Sequence, residues 1–340
     1  MISKIAIVIP CFRARGKIDL FIKKLLKIKN IMISQCEINI YLVNDYCPED
    51  SYREIENLDD IILLHHKNNL GVGAATLTGF KKALKDENHL FIKMDADGQH
   101  PAEYLIELIP YLASLPIDKL IMVKGSRYSL QVTDDESPLI RRFGSFFLEP
   151  LARISLTYKG LSDIANGFIS FNLITLEYIL SKRFVNKIEK RFLFESSIIK
   201  ACSNLGADIH EFNMHSNYGL NWSSSMNSYG MILPLLIYWS KSICTTIFSK
   251  YIYRFNLGSF LLISSVTNLL VSAVLFGLQI YPNISRGVVV TPGNASGFTS
   301  SFLLSVLIFC FFVLYDSVSR VKVKKVFFRI YAKDKNTIIK

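Results

Sequence analysis

Two runs near the C-terminal end, Leu257 to Ile280 and Gly297 to Tyr315, contain no charged residue. About 20 predominantly apolar residues suffice for a helix to cross the hydrocarbon core of a bilayer. A chain crossing lipid must also satisfy its backbone polar groups within the segment, which leaves a helix as the form open to a single run. These runs therefore predict a membrane hairpin of two helices, and everything else must fold in water or at the interface. The link between them carries one charge, Arg286, whereas both outer flanks are basic. Basic flanks stay inside, so both ends are expected in the cytoplasm and the short link outside an inner or plasma membrane.

The remaining hydrophobicity is unevenly spread. Up to about Asn227, charged and apolar residues mix as in a globular α/β protein; beyond it the apolar runs lengthen. The expected organisation is a globular domain over 1–227, amphipathic interfacial helices over 228–254, two membrane helices within 255–319 (about 257–280 and 297–315), and a basic cytoplasmic tail over 320–340. The formal charge of +11 raises nucleic acid as a partner. Lys and Arg are not interleaved with aromatics along a recognition element, however, and no nucleic-acid partner is expected. Arg320, Lys322, Lys324, Lys325, Arg329, Lys333, Lys335 and Lys340 face only Asp334, the pattern of a membrane flank. Six scattered cysteines without a C-x-x-C pair read as free thiols in a reducing compartment. The sequence opens directly into a strand-like run, so no signal peptide is expected.

The first third alternates strand and helix. Strands are predicted over Lys4–Ile9, Ile38–Val43, Ile61–Leu64, Leu90–Met94 and Leu120–Val123. Helices are predicted over Ile18–Ile28, Ala74–Leu84 and Tyr104–Leu115, the last interrupted or bent at Pro110. This rhythm predicts an open, mostly parallel sheet covered on both faces, with ligands gathered at the carboxyl ends of its strands. Tyr128 to Pro138 reads as a mobile loop. Leu139 to Tyr158 reads as a helix, either of the core or lying in the membrane interface. Met231 to Tyr253, with Trp239, Lys241 and Lys250 among apolar residues, is a second interfacial candidate.

The strand ends carry the motifs. Met94-Asp95-Ala96-Asp97-Gly98-Gln99-His100-Pro101 follows the fourth strand. Alternating Asp residues on an extended segment present hard oxygen ligands near one point, suited to Mg²⁺ or Mn²⁺ shared with substrate phosphates; a capped turn opening the next helix is the plainer alternative. Asn44-Asp45-Tyr46-Cys47-Pro48-Glu49-Asp50-Ser51 follows the second strand, where an Asp can accept from a ribose or base, or simply make a turn. Asn69-Leu70-Gly71-Val72-Gly73 puts small residues at a helix start, where phosphate is favoured.

Together these segments resemble the GT-A glycosyltransferases of family 2, and more narrowly the dolichol-phosphate mannose synthase and polyprenyl-phosphate glycosyltransferase group. Gly125-Ser126-Arg127-Tyr128, Ser137 to Arg142, and Asn166-Gly167-Phe168 stand where that group has comparable motifs. The resemblance implies a GT-A, Rossmann-like sheet followed by interfacial helices and the membrane hairpin. It implies that Pro10, Asp45, Asn69, Gly71 and Asp95 bind the nucleotide sugar. Asp95, Asp97 and Gln99 would coordinate Mg²⁺ or Mn²⁺. Asp97, Arg127 and one of Arg141 or Arg142 would serve catalysis, the arginines by holding phosphate. The chain departs from the group at Arg13-Ala14-Arg15, where an acidic residue is usual, at Tyr46-Cys47, where Gly-Ser is common, and at Asn221-Trp222, where a charge often precedes the serines.

The implied reaction is inverting transfer of a sugar from a UDP- or GDP-linked donor to a polyprenyl phosphate of undecaprenyl or dolichyl type, feeding cell-envelope glycan synthesis. The implied partners are the donor, the lipid and the membrane, with a homo-oligomer open. A phosphate acceptor is already anionic at neutral pH and needs no general base. A rival acceptor, the hydroxyl of a lipid-linked glycan, needs one, and Asp163 is the ready carboxylate. A catalytically silent membrane scaffold of the same fold is the second rival.

Overall fold

The β-branched run opening the chain is buried from Ile5 to Cys11 and forms β1 (Ser3–Cys11). It pairs in parallel with β2 (Cys36–Asn44) on one side, which in turn pairs with β3 (Ile62–His65). On its other side lies β4 (Leu90–Lys93). Chain order continues through β5 (Ile121–Ser126), β6 (Tyr158–Lys159), β7 (Ile169–Asn172), β8 (Asp208–Asn213), β9 (Val321–Lys322) and β10 (Lys324–Val326). The main sheet has the order β10-β8-β5-β7-β4-β1-β2-β3, and β6 and β9 form a separate two-stranded sheet. All pairings in the main sheet are parallel except those of β7, which runs antiparallel between β4 and β5. The mostly parallel α/β sheet is the GT-A arrangement expected. This computed structural model describes residues 3–127, 151–215 and 228–328, which divide into two compact units. One comprises Met1–Arg153, Gly160–Leu236 and Lys322–Lys340, the other Ile154–Lys159 and Ile237–Val321.

Helices cover the sheet where apolar periodicity predicts them. Helix α1 (Ile18–Ile31) buries Ile18, Phe21, Ile22, Leu25 and Ile28, a stripe at three- and four-residue spacing. Helix α2 (Val72–Lys85) sits so close to β1 and β2 that a Cβ on Gly79 would overlap Val8 and come 3.2 Å from Val43. Its Phe80 meets Phe91 and Phe171 edge-on, at 6.3 and 5.9 Å between ring centres. Helix α3 (Leu105–Ala113) runs through Pro110 without interruption. Proline there removes one backbone bond, and burial of Leu105, Leu108, Ile109 and Leu112 holds the helix nonetheless.

Three points bear on the sequence reading. The helix expected over Leu139–Tyr158 falls mainly outside the described residues; from Leu151 the chain is helical only to Ser155 and then enters β6. Strand β7, a four-residue insertion into the sheet, has no counterpart in the sequence reading. The third concerns the tail expected over 320–340, where Lys324–Val326 is instead the edge strand of the main sheet, parallel to β8. Its residues are basic and read as solvated, yet strand pairing is made by backbone groups, and an edge tolerates lysines. Phe328 beyond it is buried beside Phe212 and Tyr111, with ring centres 5.0 and 6.0 Å away.

In the second unit, helices Leu257–Leu275 and Pro292–Val318 pack along each other. Ser265 and Ser305 exchange hydroxyl-to-carbonyl hydrogen bonds (3.2 and 2.9 Å), and Ser301 donates to the Asn268 carbonyl at 3.0 Å. Small hydroxylated residues allow this close approach. The first of these helices opens on a reciprocal cap: the Ser259 N–H donates to Asn256 Oδ1 and the Asn256 N–H to Ser259 Oγ. Among the described residues, three stretches are long and apolar enough to cross a membrane: Ile232–Ile252, Leu257–Ser285 and Pro292–Val318, with mean hydropathy 1.3, 2.1 and 2.3.

Candidate active site

The carboxyl ends of β1, β2, β4 and β5 each deliver one part of the site. After β2, Asp45 is almost fully buried. His66 Nδ1 bonds to its Oδ1 at 2.7 Å, and the Leu70 and Gly71 N–H groups donate to its two oxygens at 2.9 and 2.7 Å. His66 is held in turn by Thr78 Oγ1 at 2.9 Å. Asn69 Nδ2 donates to the Asp45 carbonyl at 3.3 Å. Asp45, Asn69 and Gly71, expected separately at the nucleotide, are thus one hydrogen-bonded unit. Gly71 has φ +99°, and a Cβ there would overlap the Lys190 carbonyl and the Arg191 side chain, so the turn requires glycine. Pro10 is buried in β1 opposite Val43.

The departures at Tyr46-Cys47 have structural meaning. Tyr46 has φ +55°, a conformation glycine takes without cost and a tyrosine takes at about 1 kcal/mol or more. The Cys47 sulfur accepts the Arg13 N–H at 3.1 Å and lies 3.2 Å from Ser51 Oγ, tying the β1 and β2 loops together.

After β4 come Asp95 and Asp97. The Lys93 ammonium, with no exposed surface, donates to Asp95 Oδ1 at 2.7 Å, to Glu195 Oε1 at 2.9 Å and to the Gly167 carbonyl at 3.3 Å. Burial opposes its charge, but the two carboxylates more than offset this and raise its pKa. For Asp95 burial likewise favours the neutral form, yet Lys93 prevails and the pKa is lowered. Asp97 goes the other way. Burial, then the negative Asp95, push it up to about 6. The Gln99 N–H donates to Asp97 Oδ1 at 3.0 Å, and His100 Nδ1 accepts the Asp95 N–H at 3.1 Å. Burial lowers the His100 pKa to about 4, so the ring is neutral and packs on Phe168, 5.3 Å between centres. Gly167 passes close by: a Cβ there would overlap Asp95 Oδ2 and lie 2.7 Å from Lys93 Nζ.

This donor set fits a divalent cation. Two carboxylates share a half-buried corner in which the negative Asp95 raises the pKa of Asp97, the repulsion a cation relieves. Among the described residues no three His, Cys, Asp or Glu side chains converge on a closed cage.

After β5, Arg127 grips Asp163. Its Nε and Nη2 donate to Oδ2 and Oδ1 at 2.7 and 2.9 Å, and its N–H to Oδ2 at 3.1 Å. Asp163 is buried, which alone would raise its pKa, but the guanidinium beside it holds the carboxyl well below the ordinary carboxylate range. The buried Lys124 ammonium donates to the Asp163 carbonyl. Glu211, fully buried on β8, accepts from the N–H groups of Ser162 and Asp163 and from Ser162 Oγ. Arg141 and Arg142, the expected mobile loop Tyr128–Pro138 and the segment around Asn221-Trp222 lie outside the described residues.

Sequence reasoning missed Lys93, Lys124, His66, Glu195 and Glu211. The available signal was Lys93, a lysine within a strand expected to be buried on both faces, where a charge demands a partner, and Lys124 directly after the strand expected over Leu120–Val123.

Residues 6–173 match the model of "Glycosyl transferase family 2". A UDP-N-acetylglucosamine–dolichyl-phosphate N-acetylglucosaminyltransferase of Methanococcus voltae is 26% identical over 157 residues, 42% of this chain and 61% of that protein. A dolichol-phosphate mannosyltransferase of Pyrococcus furiosus is 21% identical over 242 residues, 66% of each. A polyprenol monophosphomannose synthase of Mycolicibacterium smegmatis is 26% identical over 181 residues, 51% of this chain and 63% of that protein. The chain thus aligns with about three-fifths to two-thirds of the length of these curated relatives. With its sheet, its paired aspartates and this match, residues 6–173 are a glycosyltransferase domain of family 2.

Proposed function

We propose that this protein moves a sugar from a nucleotide diphosphate sugar onto a polyprenyl phosphate, with inversion at the anomeric carbon. One observation carries the choice of acceptor. Asp163, the carboxylate that a hydroxyl acceptor would need as base, is buried, bonded twice to Arg127 and held far below the pKa of a proton acceptor. A phosphate monoester brings its own charged oxygen and dispenses with a base. The names of the three relatives point the same way.

In this reading the Asp45–His66–Gly71 unit shapes the nucleoside end, with Pro10 and Asn69 alongside. Asp95, Asp97 and Gln99 would hold Mg²⁺ or Mn²⁺, which would supply neutralisation of the leaving diphosphate. Lys93 fixes the Asp95 carboxylate. Arg127, kept in one orientation by Asp163, meets the acceptor phosphate, joined by Arg141 or Arg142. Positioning and fixed charge do the catalytic work.

The topology proposed for the membrane part rests on connectivity. The chain leaves the main sheet after β8 and re-enters it as β10, which supports an even number of crossings. Of the three apolar stretches, Leu257–Ser285 and Pro292–Val318 have the higher hydropathy and cross. Ile232–Ile252, with Trp239, Lys241 and Lys250, lies along the cytoplasmic surface. The basic flanks place the sheet and both termini in the cytoplasm.

The test is incubation of the purified protein with a panel of UDP- and GDP-sugars, Mg²⁺ or Mn²⁺, and undecaprenyl phosphate, followed by mass spectrometry of the lipid. A lipid heavier by one glycosyl unit, with free polyprenol inert, is the expected result. Glycosylation of the free alcohol at a comparable rate would overturn the base-free mechanism.

A further inference from the structure

We propose that Lys325, on the strand that returns from the membrane helices, is a positioning residue for the acceptor site, acting through Glu211 on the turn that holds Arg127; the proposal rests on the acceptor being a phosphate. Strand β10 lies in register with β8, with Lys325 opposite Glu211. The Lys325 ammonium bonds to Glu211 Oε2 and, at 3.0 Å, to Ser162 Oγ. Glu211 has no exposed surface, and Lys325 is about one-third exposed at the sheet edge. A buried carboxylate beside a second one, Asp163, needs a cation and hydrogen bonds to remain there. Lys325 supplies charge, and the Ser162 and Asp163 N–H groups supply bonds at 3.1 and 3.2 Å.

Those two N–H bonds fix the Ser162–Asp163 turn. Ser162 is tied further to Ser126 Oγ at 2.7 Å, one residue before Arg127. The turn aims the Asp163 carboxylate, and the carboxylate aims the guanidinium. The relay therefore runs from the strand after the last membrane helix to the group that meets the lipid phosphate. Its anchors, Val323 and Phe328, are buried on either side of β10. Neither Lys325 nor Glu211 belongs to the machinery that holds the donor. Disturbing the pair should damage acceptor use and spare the slow hydrolysis of donor by water.

The experiment compares full-length wild type, Lys325→Met, Lys325→Arg and the double variant Lys325→Met, Glu211→Gln, using undecaprenyl phosphate in detergent. Lys325→Met should raise KM for the lipid about tenfold, the scale of one charged hydrogen bond, with donor hydrolysis within about twofold of wild type. Lys325→Arg should restore most of the loss. The double variant removes the unpaired anion together with its cation; it should fold even where the single variant does not, and should show a smaller KM defect than Lys325→Met alone. An unchanged lipid KM in Lys325→Met overturns the inference while leaving the proposed function standing. So does equal loss of transfer and hydrolysis in both Lys325→Met and the double variant, which would mark the strand as a structural edge only. Failure of the wild type to use the lipid phosphate would instead overturn the reading of the acceptor.

Discussion

Asp95 and Asp97 stand two residues apart in one motif, and the structure gives them opposite energetics, so replacing each by Asn should move stability in opposite directions while both lose transfer. For Asp97 the folded pKa of about 6 lies above its ordinary value of 3.8. The folded state therefore binds more protons than the unfolded one between those values, and stability falls as pH rises through that window. Above pH 6 the whole penalty is present; at about 1.4 kcal/mol per unit, and allowing for an error of a unit, it amounts to about 2–4 kcal/mol. Asn removes the charge and keeps the bond accepted from the Gln99 N–H. Metal-free Asp97→Asn should therefore melt above wild type at pH 7.5, by several degrees for a protein of this size. The gain should fall by about half at pH 5 and nearly vanish by pH 4. Asp95→Asn takes a charge from Lys93, leaving Glu195 as its remaining carboxylate partner among the described residues, and should melt below wild type by about 1–3 kcal/mol. The assay is thermal unfolding in detergent with a chelator across this pH range, beside Mn²⁺ binding by electron paramagnetic resonance. Destabilisation by Asp97→Asn at pH 7.5, or a gain that does not shrink on acidification, would refute the electrostatic reasoning.

Arg127→Ala should reduce transfer to the lipid thirty- to several-thousand-fold, about 2–5 kcal/mol for a guanidinium at a partly desolvated phosphate, with donor hydrolysis preserved; parallel loss of both in a product assay would count against an acceptor role. Gly167→Ala should cost about tenfold or more in transfer and weaken Mn²⁺ binding, because the new methyl meets Asp95 Oδ2 and Lys93 Nζ; near-native Mn²⁺ titrations would exclude that crowding. A tag near Asn283 should be labelled from outside intact cells and a tag following Lys340 should not; labelling of both from one side would refute the hairpin of Leu257–Ser285 and Pro292–Val318.

The sequence made the first half of the sheet legible because each of β1 to β5 is an apolar run bounded by turn residues, and α1 and α2 show helical spacing in short compass. It did not reveal β7, β8 or β10. Strand β8 carries Asp208, His210 and Glu211 and lacks an apolar run; it is a strand because β5 and β10 pair with it. Strand β10 is two lysines and a valine, and its partner lies more than a hundred residues away along the chain. Long-range pairing of backbone groups leaves no local pattern to read.

The site divides along the same line. The residues proposed to face the ligands stand in contiguous motifs after strand ends, where order and spacing alone single them out. The groups that hold them come from remote positions: Glu195 for Lys93, Asp163 for Arg127, Lys325 for Glu211. This separation changes the chemistry that can be argued. From sequence, Asp163 is a carboxylate near an acceptor motif and so a ready base. In the fold it is the counter-ion that holds Arg127 in place, and a carboxylate so held cannot take a proton at neutral pH. Without that base a hydroxyl acceptor lacks the group proposed to take its proton, whereas an acceptor that arrives already charged needs none and makes the fixed guanidinium the more valuable group. The same pair of residues thereby weighs against one mechanism and in favour of the other.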